Sequence, residues 1–401
     1  MALTYESVVE KIRRADTYWQ KNFDFVDWNG GAHPAFWDKA AYHTGNMEVY
    51  KLLGDKDLLQ YTIDWANFCN WKGNDSDADP SEWFWEYNQT QGSAAVIFGD
   101  WEICFQVYID LYNAGIDGAT IDRVMYVINN QIAKDVDNYW WWADALYMVM
   151  PVFTKIYKMT GDEKYLDALY KYFRYAKELM YDGKGGIPTS ADGYTTTACL
   201  KEGASYSDPS DYKNLFFRDA NFVYPLKPNP GHEKEKNFWA RGNGWVFAGL
   251  CKVLADMPAT YKHYDEFLTT YKEMAPAIAA CQLKDSDGNG FWTQSMLQNY
   301  PVGNNNNPYG YETSGTAFFT YGFFWGINNG ILDKDEYLDT ALSGWKYLSE
   351  VALHEDGKVG YVQYIGSNAT EAMSYDTTQN FGVGAFLLAG CEAARYIKNN
   401  E

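Results

Sequence analysis

The chain has 401 residues and a formal net charge of −20, with 53 acidic against 33 basic residues. This charge opposes binding to a phosphate backbone or an anionic bilayer, so we expect neither a nucleic acid nor a membrane partner. No apolar stretch is long enough to span a bilayer, and no signal peptide begins the chain. These features predict a soluble protein of the cytoplasm or periplasm. The 18% of aromatic residues suits a cavity that stacks on sugar faces.

Apolar residues recur at helical spacing along the chain. The clearest examples are Gln106–Tyr112, Tyr165–Phe173 and Phe381–Gly390, where apolar positions lie three or four residues apart. Alternation of the kind that marks β-strands is not the dominant pattern. The sequence therefore predicts a mostly α, effectively all-α, protein.

A tight turn with glycine and aspartate separates pairs of predicted helices. It occurs in Tyr50–Leu58 and Tyr157–Leu166 and, more loosely, in Asn329–Leu338. Glycine suits the position after a helix end, and the following aspartate suits an N-cap. Each copy predicts the bend of a helical hairpin, so the chain contains a degenerate hairpin repeat.

The hairpin repeat favours closure into a toroid over an open array. Both terminal segments are as apolar and aromatic as the middle, whereas an open solenoid needs polar capping repeats. About six hairpins of roughly 60 to 70 residues each would form one domain over residues 1–401. We expect the longer loops, Asn74–Glu86, Asp182–Phe216 and Tyr300–Tyr311, to gather around one mouth of this toroid.

Asp144 is the only charge in the stretch NYWWWADALYMVMP, which covers residues 138–151. Desolvation by such neighbours raises the pKa of a carboxyl group, and a raised pKa suits a general acid near neutral pH. A buried aspartate that braces a neighbouring helix accounts for the pattern equally well. Asp100 is a second candidate carboxylate because it opens a helical run, although a plain N-cap explains it too.

Arg241 lies between Trp239 and Trp245 in the stretch NFWARGNGWVF, residues 237–247. A guanidinium framed by aromatic faces can hold a carboxylate with two hydrogen bonds. An arginine that only stacks on tryptophan at a helix start remains the alternative.

The sequence predicts neither a metal site nor a cofactor. The stretch Asp285–Gly290 resembles the start of a calcium loop, but its twelfth position is Met296 rather than glutamate. The five histidines show no metal-ligand spacing, and no serine or cysteine nucleophile motif occurs.

Several stretches together resemble the unsaturated rhamnogalacturonyl hydrolases of glycoside hydrolase family 105, kin to the unsaturated glucuronyl hydrolases of family 88. They are WWWADALYMVMP, TGDEKYLDALY, FWARGNGWVFAGL, YETSGTAFFTYGFFWGINNG and YDTTQNFGVGAFLLAG. The resemblance runs from about Trp37 to about Leu388. It implies an (α/α)6 barrel that removes a 4,5-unsaturated uronic acid from the non-reducing end of lyase-generated oligosaccharides. The substrate would be a small anionic oligosaccharide.

The resemblance also implies roles for individual residues. Asp144 stands where the family's catalytic aspartate stands, which protonates C4 of the enol ether while water adds to C5. The resulting hemiketal opens and releases the sugar. Asp100 matches the family's second active-site aspartate. The substrate-binding positions of the family match Trp239, Arg241, Trp245 and Tyr42.

Two departures concern histidine. Many members carry a histidine shortly before the catalytic aspartate and another ahead of the arginine element. Here those regions read Asp137–Trp140 and Phe216–Asp219, without histidine. We expect Arg218 to replace one of those contacts, and the neighbouring sugar of the substrate to differ.

Two other classes of function stay open at the level of sequence. One is a different toroidal carbohydrate enzyme, either a conventional glycosidase with two carboxylates or a polysaccharide lyase. The other is a non-catalytic glycan-binding protein in which Asp144 is structural.

Overall fold

Helices alternate between an inner and an outer layer. The first eight are α1 (Tyr5–Asn22), α2 (Trp37–Leu53), α3 (Lys56–Phe68), α4 (Gly99–Glu102), α5 (Cys104–Asn113), α6 (Asp122–Ala133), α7 (Asp144–Met148) and α8 (Met150–Thr160). The remaining six are α9 (Lys164–Met180), α10 (Ala240–Asp256), α11 (Tyr264–Ala280), α12 (Thr313–Asn328), α13 (Lys334–Tyr347) and α14 (Asn380–Asn400). A two-stranded antiparallel ribbon, β1 (Leu283–Lys284) and β2 (Gly290–Phe291), joins α11 to α12. This computed structural model describes residues 3–25, 33–85, 94–186, 212–219, 222, 236–297, 303–366 and 373–401.

The inner layer closes on itself. Helix α2 contacts α5, α5 contacts α8, α8 contacts α10, α10 contacts α12 and α12 contacts α14. Helix α14 then packs along α2 and completes the circle. The outer helices α1, α3, α6, α9, α11 and α13 alternate with these six positions along the chain. This arrangement is an (α/α)6 toroid, and it confirms the predicted all-α class.

The closure between α2 and α14 depends on two glycines. A Cβ atom added to Gly45 would lie 2.3 Å from the carbonyl oxygen of Gly384, and one added to Gly384 would lie 2.4 Å from that of Ala41. These distances are far below van der Waals contact, so the two backbones touch only because both side chains are absent. The first and last inner helices are thereby held as closely as consecutive ones.

Short bends join each inner helix to the next outer helix where glycine and aspartate predicted them. Gly54 ends α2 with a φ of 66°, and the Asp55 side chain accepts hydrogen bonds from the backbone N–H groups of Asp57 and Leu58. At the start of α13, the Asp333 side chain accepts a hydrogen bond from the backbone N–H of Asp335 in the same way. The longer connections therefore lie at the opposite face, where the inner helices begin, which we call the N-terminal face. Residues 86, 187–211 and 300–302 of the predicted long loops lie outside the described residues.

Charged side chains link the C-terminal halves of the inner helices. The Lys51 ammonium group donates to Glu48 and to Asp110, and Lys155 also donates to Asp110. Arg395 of α14 reaches Glu48 across the closure. Cations suit the negative ends of helix dipoles, so this network stabilises the toroid away from the N-terminal face. Within the described residues, no helix combines the length and apolar character needed to cross a bilayer.

Candidate active site

Acidic residues occupy the first turns of the inner helix α2 and of α4 and α7, the short helices that lead directly into the inner helices α5 and α8 at the N-terminal face. Asp38 is the second residue of α2, Asp100 the second of α4 and Asp144 the first of α7. Negative charge is favourable near a helix N-terminus because of the helix dipole. The six inner helices all begin at this face, so their first turns bring these carboxyl groups towards one region of the toroid.

Asp144 is almost fully enclosed, with 7% of its surface exposed. Its Oδ2 atom is buried and has no hydrogen-bond partner within the described parts of the chain. Burial raises the pKa of Asp144, while the positive charges of Arg218 and Arg241 oppose that rise. A buried carboxyl group with a raised pKa and a free oxygen can hold a proton and pass it to a ligand.

Asp100 lies beside Asp144 because α4 contacts α7. The aromatic rings of Phe98 and Trp142, which precede the two helices, stack with centroids 4.7 Å apart and fix this junction. Burial raises the pKa of Asp100 well above its ordinary value, and the charge of Asp144 raises it further. Asp100 keeps partial solvent access although protein atoms surround it closely. The two groups form an electrostatically coupled carboxyl pair.

Asp38 is a third carboxyl group that the sequence reading did not select. Burial raises its pKa to about 6, and its charge contributes to the raised pKa of Asp100. The Asn380 side chain at the start of α14 donates a hydrogen bond to its Oδ2 atom over 3.3 Å. The sequence does contain a signal for Asp38, which follows aromatic residues at the start of an apolar helix. Asp100 and Asp144 are similar, since each lies two residues after an aromatic residue.

Arg218 is the cation whose charge acts on both members of the carboxyl pair. Its guanidinium group forms an ion pair with Asp219 and lies 5.8 Å from the ring centroid of Trp141. Its carbonyl oxygen accepts a hydrogen bond of 2.8 Å from the backbone N–H of Ala143, directly before Asp144. The segment that was expected to replace a missing histidine therefore lies against the start of α7.

Arg241 is fully buried, and its guanidinium group forms hydrogen bonds with the segment that precedes α14. Its Nη1 and Nη2 atoms donate to the carbonyl oxygens of Gln363 and Tyr364 over 2.9 and 2.8 Å. It also lies 4.4 Å from the ring centroid of Trp239 and 4.6 Å from that of Phe381. These two bonds use two of the five N–H donors of the guanidinium group, so the bidentate grip on a uronate stays a prediction. The charge of Arg241 still lowers the pKa of Asp144.

The other predicted ligand contacts are engaged in packing. Trp245 is fully buried, with its ring 4.4 Å from Phe318. Trp239 donates from its indole nitrogen to the side chain of Gln363. Tyr42 is buried, and its hydroxyl group donates to the carboxylate of Asp16, whose pKa burial raises to about 7.

Two tryptophans beside the carboxyl groups keep exposed ring surface. Trp37 precedes Asp38 and stacks on Phe381 with centroids 5.3 Å apart. Trp141 lies beside Arg218 and donates from its indole nitrogen to the carbonyl oxygen of Trp85. Both are half-buried, so each presents a partly accessible apolar face.

The ligand chemistry of the described residues does not suggest a metal centre. Across those ranges, no group of three or more histidine, cysteine, aspartate or glutamate side chains is arranged to hold a metal ion. The Asp285 carboxylate accepts hydrogen bonds from the backbone N–H groups of Asp287 and Asn289, which is the geometry of a turn. The Tyr311 hydroxyl group also donates to it.

Comparison with known proteins relates this chain to proteins described as glycoside hydrolases. A protein of Formosa agariphila described as an unsaturated 3S-rhamnoglycuronyl hydrolase is 38% identical over 262 residues, which cover 64% of this chain and 58% of that protein. The match thus spans little more than half the length of that curated relative. A solved structure of a glycosyl hydrolase family 88 protein from Bacteroides vulgatus is 39% identical, with a TM-score of 0.81 over 98% of this chain and 100% of the other.

A second solved structure carries a different description. It is described as a polysaccharide lyase, is 41% identical, and superposes with a TM-score of 0.80 over 98% of each chain. The profile of Glycosyl Hydrolase Family 88 matches residues 6–397, almost the entire chain. The resemblance stated from the sequence motifs is thereby confirmed at the level of this group of families. The chain belongs to Glycosyl Hydrolase Family 88.

Proposed function

We propose that the protein is a glycoside hydrolase that removes a 4,5-unsaturated uronic acid from the non-reducing end of lyase-generated oligosaccharides. Asp144 protonates C4 of the enol ether, and the positive charge that develops at C5 is captured by water. The hemiketal so formed opens, and the neighbouring sugar leaves. The Formosa relative is described as an unsaturated 3S-rhamnoglycuronyl hydrolase, which supports the same class of substrate.

The coupled carboxyl pair carries this proposal. Asp144 is buried, has a raised pKa and offers an oxygen without a hydrogen-bond partner in the described ranges. Asp100 beside it has a pKa raised well above that of an ordinary aspartate. A pair of this kind retains a proton at pH values where an isolated aspartate has lost it, and proton transfer to carbon requires that proton. After donation, the Asp144 carboxylate can accept a proton from the attacking water.

The negatively charged uronate needs a local cation because the chain as a whole carries a charge of −20. We assign this role to Arg218, since its charge already acts on both Asp100 and Asp144. Arg241 supports the site indirectly by holding the carbonyl groups of Gln363 and Tyr364. Trp37 and Trp141 supply apolar faces for the sugar rings.

A polysaccharide lyase is the second candidate function, because a close structural relative is described as one. A lyase of this type needs a neutral base near the uronate, and His33 lies 5.6 Å from Trp101 in α4. Burial lowers the pKa of His33, which keeps the ring neutral. However, its Nδ1 atom accepts a hydrogen bond from the backbone N–H of Ala35, which places the proton of the neutral ring on Nε2. The one lone pair of this tautomer, on Nδ1, is already engaged by Ala35, which makes His33 poorly placed to act as a base in this conformation.

One experiment separates the two reactions. The protein is incubated with a panel of lyase-generated unsaturated disaccharides, including an unsaturated 3S-rhamnoglycuronyl substrate, and with the intact parent polysaccharides. The ultraviolet absorbance of the conjugated double bond is followed. A hydrolase of this type removes the absorbance of the disaccharides and leaves the polysaccharides unchanged. Growth of the absorbance with a polysaccharide would establish the lyase instead, and intact ligands throughout would indicate a glycan-binding protein.

A further inference from the structure

The inner helix that carries Asp144 is broken one turn after it. Helix α7 ends at Met148 and α8 begins at Met150, with Pro151 in the first turn of α8. Proline has no N–H to donate to the carbonyl oxygen four residues earlier, which is that of Tyr147, and its ring crowds the same carbonyl. The break therefore leaves carbonyl oxygens that need donors from elsewhere.

Gln106 of α5 supplies these donors. Its Nε2 atom donates to the carbonyl oxygen of Tyr147 over 2.7 Å and to that of Met148 over 3.0 Å. Its Oε1 atom accepts from the Lys252 ammonium group of α10 over 3.3 Å. In the opposite orientation, the amide oxygen of Gln106 would face two carbonyl oxygens that are also acceptors. These contacts therefore fix the orientation of the amide. Gln106 is 1% exposed, and water does not compete for these bonds.

The remainder of α7 is also fixed. At its start, the Ala143 N–H donates to the carbonyl oxygen of Arg218. Alongside it, a Cβ atom at Gly249 of α10 would lie 2.8 Å from the carbonyl oxygen of Leu146, so the two backbones are in contact. The five-residue helix is thus held at both ends and on one side. A helix this short has little stability of its own, and outside contacts set its orientation.

We propose that Gln106 is a positioning residue that sets the orientation of α7 and thereby the place of the Asp144 carboxyl group. This inference rests on the proposed function. Without the Gln106 amide, the carbonyl groups of Tyr147 and Met148 would lack their donor, and α7 would turn to find others. The Asp144 carboxyl group, one turn away, would move with it.

The test compares Gln106→Met with a matched control. Methionine keeps the length and apolar volume of glutamine but donates no hydrogen bond. The control is Asn328→Leu. It removes a side-chain amide of α12 that donates to the carbonyl oxygen of Glu392 in α14. We expect Gln106→Met to lower kcat by ~10- to 100-fold, because small displacements of a reacting group have effects of that size. KM should change little, and the apparent pKa of the alkaline limb should shift.

The control variant is expected to lose thermal stability while keeping kcat and the pH profile of the wild type. The positioning role is wrong if folded Gln106→Met retains wild-type kcat, or if Asn328→Leu loses kcat to the same degree. Should Gln106→Met not fold, Lys252→Met keeps the amide and removes its anchor, together with the ammonium group that lies 5.1 Å from the ring centroid of Tyr147. A wild-type kcat in that variant would then overturn the proposal, and a reduced kcat with unchanged KM would support it. Inactivity of the wild-type protein on every unsaturated disaccharide would instead reject the proposed function.

Discussion

Asp100 and Asp144 lie on the first turns of two contacting helices, and the negative charge of Asp144 raises the pKa of Asp100. Burial acts on both groups in the same direction. Carboxyl groups that interact in this way lose their protons in two steps that belong to the pair. The pair therefore retains a proton at a pH where an isolated aspartate is ionised.

Replacement of the proposed acid should separate catalysis from folding. Asp144→Asn keeps the volume of the side chain and removes the titratable proton, so we expect turnover of unsaturated disaccharide to fall by roughly 10²- to 10⁴-fold. The melting temperature should stay the same or rise slightly, because a buried ionisable group is removed. Kinetics and thermal unfolding of the same preparation measure both. Near-wild-type turnover, or an unfolded variant, would make Asp144 a structural brace.

The alkaline limb of the pH profile should depend on Asp100. In the wild type, the raised pKa values of the pair predict that activity declines only well above the pKa of a free aspartate. Asp100→Asn leaves Asp144 as the single titrating group of the pair, so the last proton should be lost at a lower pH and the limb should move to lower pH. The dependence of kcat/KM on pH in both proteins tests this. An unmoved limb with full activity would exclude Asp100 from the mechanism.

Arg218 should contribute mainly to the binding of the charged substrate. We expect Arg218→Gln to raise KM for an unsaturated uronate by about 10-fold or more, since a charge-assisted hydrogen bond is lost. The increase should be smaller for the methyl ester of the same sugar. Arg174→Gln on the surface of α9, where Arg174 pairs with Glu178, serves as the control. Equal effects on the acid and the ester would argue against a uronate contact.

Arg241 should contribute mainly to stability. Arg241→Gln leaves the carbonyl groups of buried Gln363 and exposed Tyr364 without their present donors, and the loss at the buried Gln363 carbonyl costs ~1–3 kcal/mol. We expect a lower urea midpoint and a disturbed KM for charged and esterified substrates alike. A variant of wild-type stability with a selective loss for charged substrates would instead support Arg241 as the uronate ligand.

Glu102 should make the free energy of unfolding decrease as the pH rises. It is fully buried, its carboxyl oxygens have no partner within the described ranges, and burial raises its pKa to about 8 from an ordinary 4.5. Between these two values the unfolded chain releases a proton that the folded protein keeps, so folding stability declines as pH rises. Glu102→Gln should avoid this decline and exceed the wild type by a few kcal/mol near pH 8, on the order that such a shift implies. Urea unfolding at several pH values, with exposed Glu355→Gln as control, measures it. A pH-independent difference between Glu102→Gln and the wild type would contradict this origin.

The sequence by itself determined the elements and their order. Periodic apolar residues predicted the helices, and the bend at Gly54 and Asp55 formed as expected because capping is decided by neighbouring residues. The toroid also followed from sequence, since a hairpin repeat with apolar ends must close to bury its faces. The unusual setting of Asp144 was visible because a lone charge among tryptophans is costly wherever that segment lies.

Only the tertiary structure decided which partners the candidate site residues contact. Arg241 donates to a carbonyl 122 positions further along the chain, and Tyr42 bonds to Asp16 of another helix. Helical spacing shows that Trp245 lies on the apolar face of its helix. The spacing does not show whether this face points to the axis of the toroid or packs between the two helix layers. The effect of Asp38 on the pKa of Asp100 likewise exists only because α2 and α4 are neighbours. Contacts between distant helices carry no local pattern, so the packing alone assigns these roles.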